Sequence, residues 1–115
     1  MQRISFLDAS TVGDIDLSPL AGFGQLETHS MTSAGETAAR LGETTIAITN
    51  KVVIDAQVLQ AAPALELICV AATGTNCVDL TAAREAGITV CNVAGYSTAS
   101  VTQHTIGLLI NLPTR

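Results

Sequence analysis

The residues with the most chemical potential fall in three short stretches. The first is Ala72-Thr73-Gly74-Thr75-Asn76, small residues that follow a strongly apolar run. Such a turn lets backbone N–H groups point at an anion, so a carboxylate or phosphate could be held without a basic side chain. The plain alternative is an ordinary strand-to-helix turn in which Gly74 relieves backbone strain, and spacing alone favours it. The second is Asn92-Val93-Ala94-Gly95-Tyr96-Ser97-Thr98, which holds the only tyrosine. A loop Tyr can donate to a substrate oxygen; covering the end of the core is its commoner fate. The third is Gln103-His104-Thr105. A histidine can act as acid or base, but no carboxylate lies within a turn of His104, and its apolar surroundings favour a packed or interface role. His29 has no evident partner.

Other patterns argue against particular chemistries. Gly22-x-Gly24 lacks the third glycine of a dinucleotide fingerprint and precedes a strand instead of following one. There is no P-loop lysine motif. The three cysteines, Cys69, Cys77 and Cys91, are widely spaced, and two histidines do not complete a zinc set, so no metal site is expected. The net charge of −5 disfavours nucleic acid, which needs a concentrated positive field. Two Phe, one Tyr and no Trp leave little surface for stacking bases or an isoalloxazine, which weakens a flavin-binding reading. No apolar run is long enough to cross a bilayer, and the apolar start is too short for a signal peptide. Free thiols and no leader imply a cytoplasmic setting.

The elements that would position these residues alternate in period. Charged residues make up 13% of the 115 and apolar ones 48%, enough for one aliphatic core in a single domain, residues 1–115. Strands are expected at residues 4–7, 25–29, 44–49, 65–71 and 88–93. A short helix should follow Ser18-Pro19, and further helices should cover 32–41, 55–62 and 79–85. A long helix, capped by Ser97 or Ser100, should run to Leu112 and stop at Pro113. Residues 8–11 read as a polar loop. Five strand–helix units with short connections predict a three-layer αβα, flavodoxin-like domain with a five-stranded parallel sheet in the order 2-1-3-4-5. Sites in such sheets lie at the carboxyl ends of the strands, so residues 8–11, 50–53, 72–78 and 94–100 are where ligands belong.

At the fourth and fifth strands the sequence resembles a known family. Ile68-Cys69-Val70-Ala71-Ala72-Thr73-Gly74-Thr75-Asn76-Cys77-Val78-Asp79, Ala86-Gly87-Ile88-Thr89-Val90-Cys91-Asn92-Val93-Ala94-Gly95-Tyr96-Ser97 and Ser100-Val101-Thr102-Gln103-His104-Thr105 are similar to the D-isomer-specific 2-hydroxyacid dehydrogenases. Thr49-Asn50-Lys51-Val52 fits the glycerate dehydrogenase (hydroxypyruvate reductase) subgroup. The resemblance implies a substrate-binding domain into which an NAD(P)-binding Rossmann domain is inserted, at the helix near residue 100. The catalytic Arg, Glu and His of the family belong to parts not present here, and the helix context of His104 differs from that of the family's histidine. No catalytic residue is therefore expected in this chain.

By position, the resemblance assigns substrate binding to Asn50, Lys51, Ala72, Thr73, Gly74, Thr75 and Tyr96. It assigns cofactor contact to Thr73 and Thr105. Residues 72–75 match the loop whose N–H groups hold the substrate carboxylate, and Lys51 would add attraction for an acid. Gly107, Asn111 and Pro113 depart from a helix that is usually more uniformly apolar. The implied parent reduces a small 2-oxo acid with NAD or NADP; the chain alone is expected to bind no cofactor and to be inactive. The other reading is an excised or engineered flavodoxin-like scaffold that homodimerises through its last helix.

Overall fold

Residues 1–112 are described by the structure, a computed structural model. Five parallel strands form one sheet: β1 (Arg3–Phe6), β2 (Gln25–Thr28), β3 (Ile46–Thr49), β4 (Leu67–Val70) and β5 (Thr89–Cys91), in the order β2-β1-β3-β4-β5. Four α-helices accompany them: α1 (Ala34–Leu41), α2 (Ala56–Gln60), α3 (Leu80–Glu85) and α4 (Thr98–Asn111). The expected flavodoxin-like sheet is present. The strands are shorter than the apolar runs suggest because ladder pairing stops where the loops diverge. The predicted stop at Pro113 lies outside the described residues.

Parallel neighbours need long crossovers, and these are right-handed. From β2 to β5 every crossover runs the same way along the sheet, so α1, α2 and α3 share one face. Strand alternation sends Ala47, Ile68, Val70 and the half-buried Val90 toward them. There they join Leu7, Leu41, Ile54, Val58, Leu59 and Ala83 in a single aliphatic core. The helices start where polar caps are available. Ser33 and Glu36 form a capping box on α1, with the Glu36 carboxylate accepting from the Ser33 N–H at 2.9 Å. Asp55 and Asp79 each accept from the amide three residues on, at 2.9 Å. Gly87, just past α3, has φ +73°, which lets the chain turn sharply into β5.

The β1-to-β2 connection runs the opposite way and so crosses the other face. It contains two 3-10 turns, Ala9–Val12 and Ser18–Gly22, in place of a full α-helix. Ile4 and Phe6 are buried on that side, whereas Ile46, Ile48, Leu67 and Cys69 are half-buried. Helix α4 has no buried residue, and Val101, Ile106, Leu108, Leu109 and Leu112 are each more than half exposed. Its 14 residues add about 21 Å of length. The radius of gyration is accordingly 16.8 Å, against about 13 Å for a compact chain of this size. Of the two candidate caps, Ser97 occupies the N-cap position, without a side-chain hydrogen bond.

Residues 8–11 correct the sequence reading. Ser10 and Thr11 are exposed as a polar loop would be, but Asp8 is fully buried and Ala9–Val12 is a 3-10 turn. The Asp8 carboxylate accepts from the amides of Asn50 (2.9 and 3.1 Å) and Lys51 (2.7 Å), joining the end of β1 to the loop after β3. Hydrogen bonds to an ionised acceptor are the stronger kind.

Two outcomes follow. Hydrogen bonds from Ser33, helped by the Arg40 guanidinium, hold the Glu36 carboxyl below the usual carboxylate range. A depressed folded-state value gives stability that is complete above the unfolded-state value and lost as pH falls through the folded one. Glu36→Gln should therefore lower the urea midpoint near neutrality and change little below the folded-state value, which flattens the acid limb of a urea-midpoint-versus-pH curve. Asp8→Asn leaves one carbonyl oxygen for the two N–H donors that both carboxylate oxygens now serve. It should cost roughly 1–3 kcal/mol in urea unfolding and should speed hydrogen exchange at Asn50 and Lys51.

Candidate functional site

The carboxyl ends of β1, β3, β4 and β5 open into one cleft of about 450 Å³. Thr11 and Val12 come from the first loop, Asn50 and Lys51 from the third, Ala71 and Ala72 from the fourth, and Val93 and Tyr96 from the fifth. The cleft spans the point where the strand order reverses, between β1 and β3. Open α/β sheets present their ligand crevices there.

Each wall is fixed by a specific bond. The β3 loop is gripped by Asp8, and the Thr49 hydroxyl accepts from the Val52 N–H at 3.0 Å. These bonds turn the backbone of Asn50 and Lys51 inward and leave the Lys51 side chain exposed. The Asp8 charge is thus engaged by amides beneath the cleft. Cys77 donates to the Asn50 carbonyl at 3.9 Å. Burial pushes its thiol upward, Asp8 adds to that shift and Lys51 opposes it. A raised thiol has a smaller thiolate fraction at neutral pH.

The β4 loop is clamped to the β5 loop. The Asn92 side-chain amide donates to the Thr73 carbonyl at 2.7 Å, and the Thr73 hydroxyl donates to the Val93 carbonyl at 3.2 Å. Val93 N–H donates to the Ala72 carbonyl at 3.0 Å. With its carbonyl and hydroxyl so engaged, residue 73 is held rigidly. The backbone N–H groups of Thr73, Gly74 and Thr75 donate to no acceptor among the described residues. Gly74 is exposed, lacks a positive φ, and a Cβ built on it would meet nothing within 4 Å. Backbone strain therefore does not explain this glycine.

The expected site residues divide into three sets. Asn50, Lys51, Ala72 and Tyr96 line the cleft together, and Tyr96 is 64% exposed instead of covering the core. Thr73, Gly74 and Thr75 occupy the adjoining turn and are not among the lining residues. Thr105 stands apart on α4, where its hydroxyl donates to the Val101 carbonyl at 2.8 Å. His104 is exposed on the same helix. His29 has a neighbour that the sequence did not suggest, the Glu27 carboxylate at 3.4 Å. Of the two glycines before β2, Gly24 has a packing explanation: a Cβ there would lie 2.3 Å from the Gln2 carbonyl oxygen, whereas one on Gly22 would meet nothing within 4 Å. The positioning roles of Asp8 and Asn92 escape sequence reasoning, although both lie in stretches it singles out. The one available signal was a charged residue placed directly after a doubly buried strand.

Comparison with known proteins agrees with this geometry. The family model for the catalytic domain of D-isomer specific 2-hydroxyacid dehydrogenases matches residues 4–107. A hydroxypyruvate reductase of Blautia hydrogenotrophica is 37% identical over 103 residues, covering 87% of this chain and 32% of that protein. A glycerate dehydrogenase of Methylorubrum extorquens is 46% identical over 77 residues, covering 67% of this chain and 24% of that protein. Among solved structures, an acyclic imino acid reductase in complex with NADPH and D-Arg superposes with a TM-score of 0.82 at 20% identity, covering 92% of this chain and 35% of that one. The chain spans about a third of the length of the curated relatives it matches. It belongs to the D-isomer-specific 2-hydroxyacid dehydrogenase family, and its sequence corresponds to part of the catalytic domain.

Proposed function

We propose that this chain is the substrate-holding part of an NAD(P)-dependent D-2-hydroxyacid dehydrogenase of the glycerate and hydroxypyruvate type, without turnover by itself. The observation that carries this reading is the turn at residues 73–75, next to the cleft-lining Ala72, whose N–H groups have no acceptor among the described residues and where a Cβ on Gly74 would meet nothing within 4 Å. A substrate carboxylate fits those amides. The exposed ammonium of Lys51 would raise the local concentration of an acid, and the Tyr96 hydroxyl would donate to a second substrate oxygen. Rigid clamping by Asn92 means little order is lost when the anion arrives.

The nicotinamide cofactor, NAD or NADP, would supply hydride from a second domain, with Thr73 and Thr105 at its margin. Proton donation and carbonyl polarisation would come from a His and an Arg outside this chain. The residues here would bind and orient the acid and help exclude water. Three free thiols suit the reducing cytoplasm, and no described helix is long and apolar enough to cross a membrane.

A second reading, a non-catalytic dimerisation module, draws on α4. An exposed run of large aliphatic side chains on one helix favours self-association. Sedimentation over a wide concentration range should then reveal a dimer, and Leu109→Asp should return it to monomer. A monomer at every concentration would remove this reading.

For the substrate, hydroxypyruvate or glycerate should shift the amide resonances of residues 73–76. Gly74→Val should preserve the remaining spectrum while abolishing those shifts. Unmoved amides at millimolar ligand would refute carboxylate binding. NADH-dependent reduction of hydroxypyruvate by the purified chain would refute the absence of turnover.

A further inference from the structure

The register of β4 and β5 sets two free thiols side by side. Cys69 and Cys91 are ladder partners, and partners in register project from the same side of a sheet. That side is the face turned away from α1, α2 and α3. Cys91 is exposed and Cys69 half-buried. After burial, the nearby Cys91 is the second influence raising the Cys69 thiol. Neighbouring strands run about 4.7–4.9 Å apart, inside the roughly 4.4–6.8 Å between Cα atoms that a disulfide spans. β5 is a three-residue edge strand paired only with β4, so it can yield to bring the sulfurs together.

We propose that Cys69 and Cys91 form a peroxide-sensitive pair that closes to an intramolecular disulfide. The exposed Cys91 thiolate attacks hydrogen peroxide; an S–O bond forms, the O–O bond breaks, and the departing hydroxide is protonated to water. The Cys69 sulfur then attacks the Cys91 sulfenic acid. An S–S bond forms, the S–O bond breaks, and the hydroxide leaves with the Cys69 proton as a second water. The two thiols lose two electrons and peroxide is reduced to two waters. The cross-link ties together the strand ends from which the clamped loops at residues 72–78 and 92–97 emerge. Cys77, on the helix side and bonded to the Asn50 carbonyl, takes no part. This inference does not depend on the proposed substrate.

The test treats the full chain with limiting hydrogen peroxide, alkylates the remaining thiols and maps the peptides by mass. The expected product has lost two hydrogens, carries one alkyl group at Cys77, and gives a linked Cys69–Cys91 peptide that reductant separates. Cys77→Ser should still form the link, whereas Cys91→Ser and Cys69→Ser should not. Three results would each overturn the proposal: sulfinic acid on Cys91 with Cys69 still free, linkage only between molecules or through Cys77, or no oxidation at all.

Discussion

A parallel strand cannot return to its neighbour through a tight turn, and that constraint organises the whole molecule. Each connection must run back along the sheet, and the right-handed path stacks α1, α2 and α3 on one side. All strand ends of one polarity then meet at one rim. Because β1 lies between β2 and β3, the connections diverge at that rim and leave a gap. The cleft is therefore a product of topology before any of its side chains is considered. Chain chemistry decides what lines the gap, including one exposed lysine and one exposed tyrosine.

Local signals were readable from the sequence because their physics is local. Ser33 with Glu36, Asp55, Asp79 and Gly87 mark helix ends through contacts only a few residues apart. The strand order was readable because β-branched and aliphatic runs alternate with capped helices at crossover length. Asp8 was misread because its partners lie 42 and 43 residues away, and nothing beside it in the chain announces them. The role of Asn92 was hidden for the same reason: it serves Thr73, a residue from another strand–helix unit. For the site, Asn50, Lys51, Ala72 and Tyr96 do gather, while Thr105 stands apart on α4. Motif resemblance carries positions but not the distances between them.

The two sides of the sheet differ in how they are finished. The helix side is sealed by small and aliphatic residues, with Ala47, Ile68 and Ala83 fully buried. The other side is covered over β1 and thinner over β3 and β4, where aliphatic side chains remain half-exposed. Helix α4 adds further apolar surface, which explains how a chain that is 48% hydrophobic keeps so much of that weight at its periphery.

Gly24 shows how a glycine pattern can mislead. Its missing side chain makes room for the Gln2 carbonyl, whose oxygen carries partial negative charge at that spot. A phosphate drawn there by glycine spacing would meet electrostatic repulsion instead of a donor. Gly24 is a spacer that lets two backbones run close at the sheet margin, and a search scoring glycine intervals alone would place a nucleotide where the chain already occupies the space.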